Sequence, residues 1–91
     1  MSVTIRIPTQ LRELSGGNAE VTAEAGTLAS VLDGLESAHP GFRERLYDDK
    51  GELRRFVNVF VADEDIRFLD GVDTDVADGS TVSIVPAVAG G

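Results

Sequence analysis

The sequence predicts an α+β domain in which one main helix packs on one face of a mixed β-sheet. Three features carry this prediction: alternating apolar residues near the N-terminus, one amphipathic helical stripe, and further alternating stretches in the second half. The chain has 91 residues, enough for one modest core and too few for a second. We therefore expect residues 1–85 to form the domain and residues 86–91 to form a C-terminal tail.

The first part of the chain predicts a pair of strands. Val3, Ile5 and Ile7 alternate with polar residues and stop at a proline. After a turn containing two glycines, apolar and polar residues alternate again over residues 19–24. Together these stretches predict a hairpin-like pair with a long connection.

The main helix is expected directly after these strands. Thr27 is a favourable N-cap because its hydroxyl can accept a hydrogen bond from a backbone N–H of the first turn. Apolar residues then fall on one helical face, and the segment 39–41, His-Pro-Gly, ends the helix. The residues of this face are Leu28, Val31, Leu32, Leu35 and Ala38.

The second half of the chain predicts three further strands. A short helical turn over residues 42–46 and a charged loop over 48–51 are expected first. Residues 56–61 then form a strong strand whose three valines share one face. After an acidic turn, a short strand is expected over 66–68, and the last strand over 81–85.

The order of these elements is strand, strand, helix, strand, short strand, strand. Because the helix supplies a crossover, the first and last strands can pair as parallel neighbours. This arrangement is the layout of a β-grasp, or ubiquitin-like, domain.

The composition excludes most side-chain catalysis. The chain has no cysteine, so disulfides, thiolate metal ligands and cysteine nucleophiles are ruled out. It has one histidine, so there is no histidine cluster for a metal. That residue, His39, lies at the expected helix end. A histidine there is usually exposed to solvent or hydrogen-bonded and not catalytic.

The charge of the chain points away from nucleic acid. Sixteen acidic against eight basic side chains give a formal charge of −8, which repels phosphate backbones and favours a basic protein partner. Alternatively, the acidity only keeps the protein soluble. No apolar segment approaches the roughly 20 residues of a membrane helix, and no signal-peptide pattern is present, so we expect no membrane partner and a cytoplasmic location.

The chain ends in an uncharged arm with the sequence Pro86-Ala87-Val88-Ala89-Gly90-Gly91. Its proline cannot donate to a strand ladder, so the sheet is expected to stop there. Fully extended, the arm reaches about 20 Å, enough to enter the cleft of a partner enzyme. Since glycine has no Cβ, the last two residues can lie in a narrow channel. We expect the carboxylate of Gly91 to be the working group.

The segment from Arg55 to Gly91 contains the motifs RFVN, DEDIRF, ADG and PAVAGG. Together with the predicted fold, these motifs resemble the MoaD/ThiS family of ubiquitin-like sulfur carriers, and the resemblance covers essentially the whole chain. Within that family, the DEDIRF segment, Asp63 to Phe68, is most similar to carriers that serve cysteine biosynthesis.

This resemblance implies a protein cosubstrate and not an enzyme. An E1-like adenylating and sulfurtransferase enzyme would use ATP to convert the Gly91 carboxylate into a thiocarboxylate. An O-phosphoserine-dependent cysteine synthase would take up the sulfur, and a metal-dependent peptidase would release the cysteine. ATP and pyridoxal phosphate would belong to the partner enzymes, and the carrier itself would bind no cofactor and no metal.

Several alternatives stay open. The small subunit of molybdopterin synthase resembles this chain in the V-A-G-G ending, and a thiamine-type carrier is a further alternative within the family. A protein modifier would join Gly91 to lysines of its targets, although Lys50 is the only lysine on which ubiquitin-style chains could grow. In a pure interaction domain, the Gly-Gly ending would be incidental.

Strand alternation also predicts a docking face on the sheet. The helix-facing side is assigned to Val3, Ile5, Ile7, Val57, Val59, Val61, Val82 and Ile84. The opposite side then carries a partly apolar patch that we expect to bind a partner enzyme. This sheet patch consists of Arg6, Asn58, Phe60, Ser83 and Val85. In an alternative arrangement, Phe60 tucks under the loop at 47–53.

Overall fold

A computed structural model of the chain describes residues 2–54 and 57–86. The strands in this part of the chain are β1 (Ser2–Arg6), β2 (Glu20–Glu24), β3 (Gly26–Thr27), β4 (Val57–Val61), β5 (Glu64–Asp65), β6 (Asp75–Val76) and β7 (Thr81–Pro86). The α-helices are α1 (Leu28–Ala38) and α2 (Phe42–Leu46), and short 3-10 helices span Thr9–Ser15, Ile66–Phe68 and Gly71–Asp73.

The main sheet has five strands in the order β2-β1-β7-β4-β5. β1 pairs antiparallel with β2 and parallel with β7, so the predicted pairing of the first and last strands is confirmed. β7 also pairs antiparallel with β4 and therefore lies in the centre of the sheet. β3 and β6 form a separate two-stranded sheet that the sequence did not predict.

The main helix forms where it was predicted because its ends are specified locally. The Thr27 hydroxyl accepts a 3.3 Å hydrogen bond from the backbone N–H of Ser30, as expected of an N-cap. At the other end, the His39 N–H donates to the Leu35 carbonyl at 2.8 Å. Four of the five residues assigned to the apolar face are buried, whereas Ala38 is exposed because it is the last helical residue.

The core lies between α1 and one face of the main sheet. All eight sheet residues assigned to the helix-facing side are buried, none more than 7% exposed. The predicted helical turn at residues 42–46 is confirmed as α2, and Phe42 and Leu46 complete the core with 1% exposure each. No helix in the described part of the chain is long and apolar enough to cross a membrane.

The prediction of a short strand at 66–68 was wrong. Ala62 and Asp63 both adopt positive φ, 52° and 70°, which closes a tight two-residue turn after β4. The return strand therefore starts and ends earlier, as β5. The side chain of Asp65 then accepts a 2.9 Å hydrogen bond from the Arg67 N–H and starts a 3-10 helix, which buries Ile66.

Candidate functional site

The predicted working group lies outside the part of the chain that the structure describes. This holds for Ala87, Val88, Ala89, Gly90 and Gly91, whose roles stay predictions. The structure does describe the strand from which this arm leaves.

The strand that precedes the arm, β7, is anchored in the core. It lies between a parallel and an antiparallel neighbour, and its Val82 and Ile84 are 0% and 3% exposed. Its last residue, Pro86, lies opposite Val57 of β4. β7 is thus paired on both sides over residues 81–83 and with β4 as far as Pro86, so the domain presents the start of the arm in a defined position.

The sheet patch is assembled from three neighbouring strands. Ser83 lies opposite Arg6 in the parallel pair and opposite Phe60 in the antiparallel pair, so the three residues form one row across the sheet. Asn58 lies opposite Val85 in the row nearer the arm. Arg6 and Val85 are exposed, Val85 to 46%, and the other three are half-buried.

Phe60 does not pack under the loop at residues 47–53. Tyr47 and Leu53 of that loop pack against the core, on the helix side of the sheet. Phe60 alternates with the buried Val59 and Val61 and so faces the opposite side. The five patch residues are therefore brought together on one face, with the Phe60 ring in the same row as Arg6 and Ser83.

The row continues at both ends to acidic residues that strand alternation had not assigned to the patch. Glu20 of β2 lies opposite Arg6, with 3.8 Å between its carboxylate Oε2 and the Arg6 Nε. Asp65 of β5 lies opposite Phe60 at the other end. Strand alternation in β2 puts Glu20 on an outward position, but only the pairing register shows that it ends this row.

An exposed aromatic residue outside the sheet patch was not predicted. Phe68 is 86% exposed at the end of the 3-10 helix that follows β5, and the adjacent Leu69 is 36% exposed. The predicted strand at 66–68 would have placed Phe68 in a ladder. The signal in the sequence was the Asp65 side chain, whose spacing to Arg67 suits a local cap.

The titratable side chains of the described residues form no metal-binding group, and the pKa of Tyr47 is raised. In residues 2–54 and 57–86, no three His, Cys, Asp or Glu side chains are grouped so that they could hold a metal ion. Burial raises the pKa of the Tyr47 phenol, the nearby Asp33 raises it further, and Arg43 opposes them. The Arg43 guanidinium lies 5.4 Å from the centre of the Tyr47 ring, which is a cation–π contact. Tyr47 is thus a neutral packing residue at physiological pH.

The fold and the solved structures similar to it define the class of protein. A mixed sheet covered by one main helix, with the C-terminal strand in its centre, is the ubiquitin-like β-grasp arrangement, and the predicted fold class is confirmed. The sequence matches the ThiS family over residues 5–91, so the chain belongs to the ThiS family.

Several known proteins are similar to this chain over nearly its full length. The "Sulfur carrier protein CysO" of Mycobacterium tuberculosis is 50% identical over 93 residues, which cover the whole of both chains. Its crystal structure is similar with a TM-score of 0.90 and 49% identity, over 94% of this chain and 99% of that chain. A chain of the Amycolatopsis orientalis BexX/CysO complex gives a TM-score of 0.91 and 47% identity, over 98% and 99%.

A further relative is described as a protein modifier. The "Small archaeal modifier protein 3" of Haloferax volcanii is 36% identical over 94 residues, again across the whole of both chains. The predicted resemblance to the MoaD/ThiS family is confirmed by these matches.

Proposed function

We propose that this chain is a sulfur carrier that bears sulfur as a thiocarboxylate on Gly91 and delivers it for cysteine biosynthesis. The observation that carries the proposal is the 50% identity, over the full length of both chains, to the sulfur carrier protein CysO. On this proposal, residues 1–85 are the carrier domain and residues 86–91 its working arm.

The loading chemistry needs no side chain of the carrier. In a partner enzyme of the E1-like type, the Gly91 carboxylate attacks the α-phosphate of ATP, and pyrophosphate leaves. Hydrogen sulfide, or a sulfur donor at the same oxidation level, then displaces AMP from the acyl adenylate and leaves the thiocarboxylate. The absence of cysteine from the chain agrees with this route, because the sulfur is bonded to the main chain.

The unloading chemistry belongs to two further partners. In a pyridoxal-phosphate-dependent cysteine synthase, the thiocarboxylate sulfur adds to the three-carbon unit that remains after O-phosphoserine has lost its phosphate. The acyl group then moves from sulfur to nitrogen, which leaves cysteine in amide linkage to Gly91. A metal-dependent peptidase hydrolyses that amide and regenerates the carboxylate. The carrier is a cosubstrate in each step and catalyses none of them.

The geometry of β7 suits this role. Pro86 is held opposite Val57, and from there the five remaining residues of the uncharged arm can extend into an enzyme cleft. These five residues reach about 17 Å when fully extended. The folded domain thus stays at the surface of the partner while the terminal carboxylate reaches the reaction centre.

The sheet patch is the surface that we propose for docking onto the partner enzymes. Phe60 supplies an aromatic anchor, and the exposed Val85 lies one residue before the start of the arm. Arg6, Asn58 and Ser83 surround them with polar groups, which is the usual anatomy of an interface. A partner seated on this face would also hold the base of the arm.

Protein modification is the second candidate function. It is favoured by the 36% identity to small archaeal modifier protein 3. The activation of Gly91 is shared by both functions, and they differ in the acceptor, which is a lysine amine of another protein in the second case. The lower identity ranks this candidate behind sulfur delivery.

Transfer to a cysteine synthase tests the proposal. The loaded carrier is incubated with the synthase and O-phosphoserine, and its intact mass is followed. We expect the mass to rise by one cysteinyl group relative to the unmodified carrier, and to return to that of the carboxylate when a metal-dependent peptidase is added. A loaded carrier that is consumed only by forming amides with lysines of added proteins would instead favour the modifier function.

A further inference from the structure

A groove of about 370 Å³ opens beside the outer edge of β4. Its floor is apolar, formed by the buried Val57, Val59 and Ile66 with the half-buried Leu53. This volume is at the lower end of the range of small-ligand pockets, so the groove has room for a few side chains only. It contains none of the five residues of the sheet patch and is a separate surface.

The strand beside this groove has an open edge. β5 pairs with β4 only through Phe60 and Val61, and the chain then turns into a 3-10 helix instead of continuing the ladder. Within the described part of the chain, no strand covers the outer edge of β4 over residues 57–59. The Val57 N–H already donates to the Arg54 carbonyl at 3.0 Å, so an added strand has to pair with the other backbone groups of this edge. Three residues at the rise of a strand span about 10 Å, and an extended peptide can add to such an edge.

The rim of the groove carries a charge opposite to that of the whole chain. Arg54 and Arg67 line it, in a chain whose formal charge is −8. The Arg54 Nη2 donates a 3.1 Å hydrogen bond to the Glu44 carbonyl, and Arg54 forms no ion pair with any residue in the described ranges. The Arg67 Nε lies 3.4 Å from the Asp65 Oδ1, but the Arg67 side chain is 59% exposed.

These two arginines retain hydrogen-bonding capacity for a ligand. A guanidinium group has five N–H donors, and each of these side chains uses only part of them. Guanidinium groups bind carboxylates in preference to neutral acceptors because charge-assisted hydrogen bonds are stronger. The rim therefore favours an acidic ligand, and the floor favours apolar side chains between the acidic ones.

We propose that the groove formed by Leu53, Arg54, Val57, Val59, Ile66 and Arg67 binds an extended acidic segment of a partner protein as an added strand on β4. Apolar side chains of the segment enter the floor, and its carboxylates pair with the two guanidinium groups. Because Val57 also lies opposite Pro86, a partner bound here is placed next to the start of the arm. The inference rests on the groove alone and does not depend on the chemistry of Gly91.

Binding of a labelled hexapeptide of alternating glutamate and valine tests this inference. Fluorescence anisotropy should show salt-sensitive binding, and the amide signals of residues 57–59 should shift in NMR spectra. A neutral hexapeptide of alternating glutamine and valine should bind much more weakly, because it lacks the carboxylates that pair with the two arginines. Methylation of the backbone nitrogens of the acidic peptide should abolish binding, because the strand can then no longer donate to the edge of β4.

Charge reversal on the protein provides the matched comparison. Arg54→Glu and Arg67→Glu should each weaken peptide binding by about tenfold or more. Arg45→Glu makes the same charge change at an exposed arginine that pairs with Glu13 at 3.9 Å and does not line the groove, and it should leave binding unchanged. Thermal unfolding checks each variant, and Arg54→Gln and Arg67→Gln replace any reversal that does not fold.

Three results would overturn the inference. The first is equal binding of the acidic and neutral peptides, or no binding of either. The second is an Arg45→Glu protein that loses as much affinity as Arg54→Glu. The third is a concentration-dependent dimer in sedimentation experiments that Arg54→Glu dissociates, since the occupant of the groove would then be a second copy of this chain.

Discussion

Phe60 of β4 lies directly opposite Ser83 of β7, on the face of the sheet that α1 does not cover. The side chain of Phe60 is half-buried and is not among the hydrophobic residues that pack against the core. The Phe60 ring thus lies beside Ser83, three residues before the end of the strand that leads into the arm, and is a suitable anchor for a partner.

Phe60→Ala should therefore weaken binding to a partner enzyme and leave the fold almost unchanged. We expect a loss of more than about 1 kcal/mol in binding free energy, measured by titration calorimetry, because interface anchors are commonly aromatic. Leu35→Ala is the contrasting variant, since Leu35 is 1% exposed. It should lower the free energy of unfolding by about 2 to 5 kcal/mol. If Phe60→Ala shows the behaviour expected of Leu35→Ala, with unchanged affinity, the docking face is assigned wrongly.

Thr27→Ala should destabilise the domain through the start of α1. The substitution removes the hydroxyl that accepts from the Ser30 N–H, and loss of an N-cap costs about 1 kcal/mol. Chemical denaturation measures this change. Thr27→Ser keeps the hydroxyl and should retain most of the stability, whereas equal losses in both variants would show that the cap is not the cause.

Tyr47 should make the domain less stable in alkaline solution. Burial raises the pKa of its phenol above the ordinary value of 10.0, so the folded protein keeps the proton at a pH where the unfolded chain has released it. The stability from the neutral phenol is present below pH 10 and is lost as pH rises through the folded pKa. Since Tyr47 is the only tyrosine, tyrosinate absorbance measures its pKa directly.

Tyr47→Phe is the control for this alkaline effect. It keeps the ring under Arg43 and removes the titrating hydroxyl, so its stability should decline less steeply above pH 10 than that of the parent protein. Parallel declines in the two proteins would show that Tyr47 does not contribute.

The acidic surface should accelerate association with a basic partner. With a formal charge of −8, the association rate measured by stopped flow should fall as salt rises to physiological strength, where charges are screened beyond about 8 Å. An association rate that does not depend on salt would support the alternative that the acidity serves solubility.

Much of the fold followed from local patterns in the sequence. The alternation of Val57, Val59 and Val61 identified the buried face of β4, and Thr27 identified the start of α1, because both signals depend on neighbouring residues only. The 3-10 helix at 66–68 was missed because positive φ at Ala62 and Asp63 shortened the hairpin, and neither residue favours that conformation as glycine does.

The candidate site was only partly predictable for a similar reason. Alternation placed Arg6, Phe60 and Ser83 on one face, but their meeting in one row depends on two strand registers that link distant parts of the chain. Glu20 and Asp65, at the ends of that row, were missed because their positions depend on further pairings. The open edge of β4 depends on where β5 stops, which the pattern of residues 63–68 did not indicate.

Deleting Gly91 gives the most direct test of the proposed carrier function. Within the described residues, no buried core position lies beyond Ile84, so the shortened protein should keep the thermal stability of the parent. Both proteins are incubated with an E1-like activating enzyme, ATP and sulfide, and their intact masses are measured. We expect the parent protein to gain the mass of one oxygen replaced by sulfur and the shortened protein to gain none. Sulfur uptake by the shortened protein would contradict the proposed carrier function.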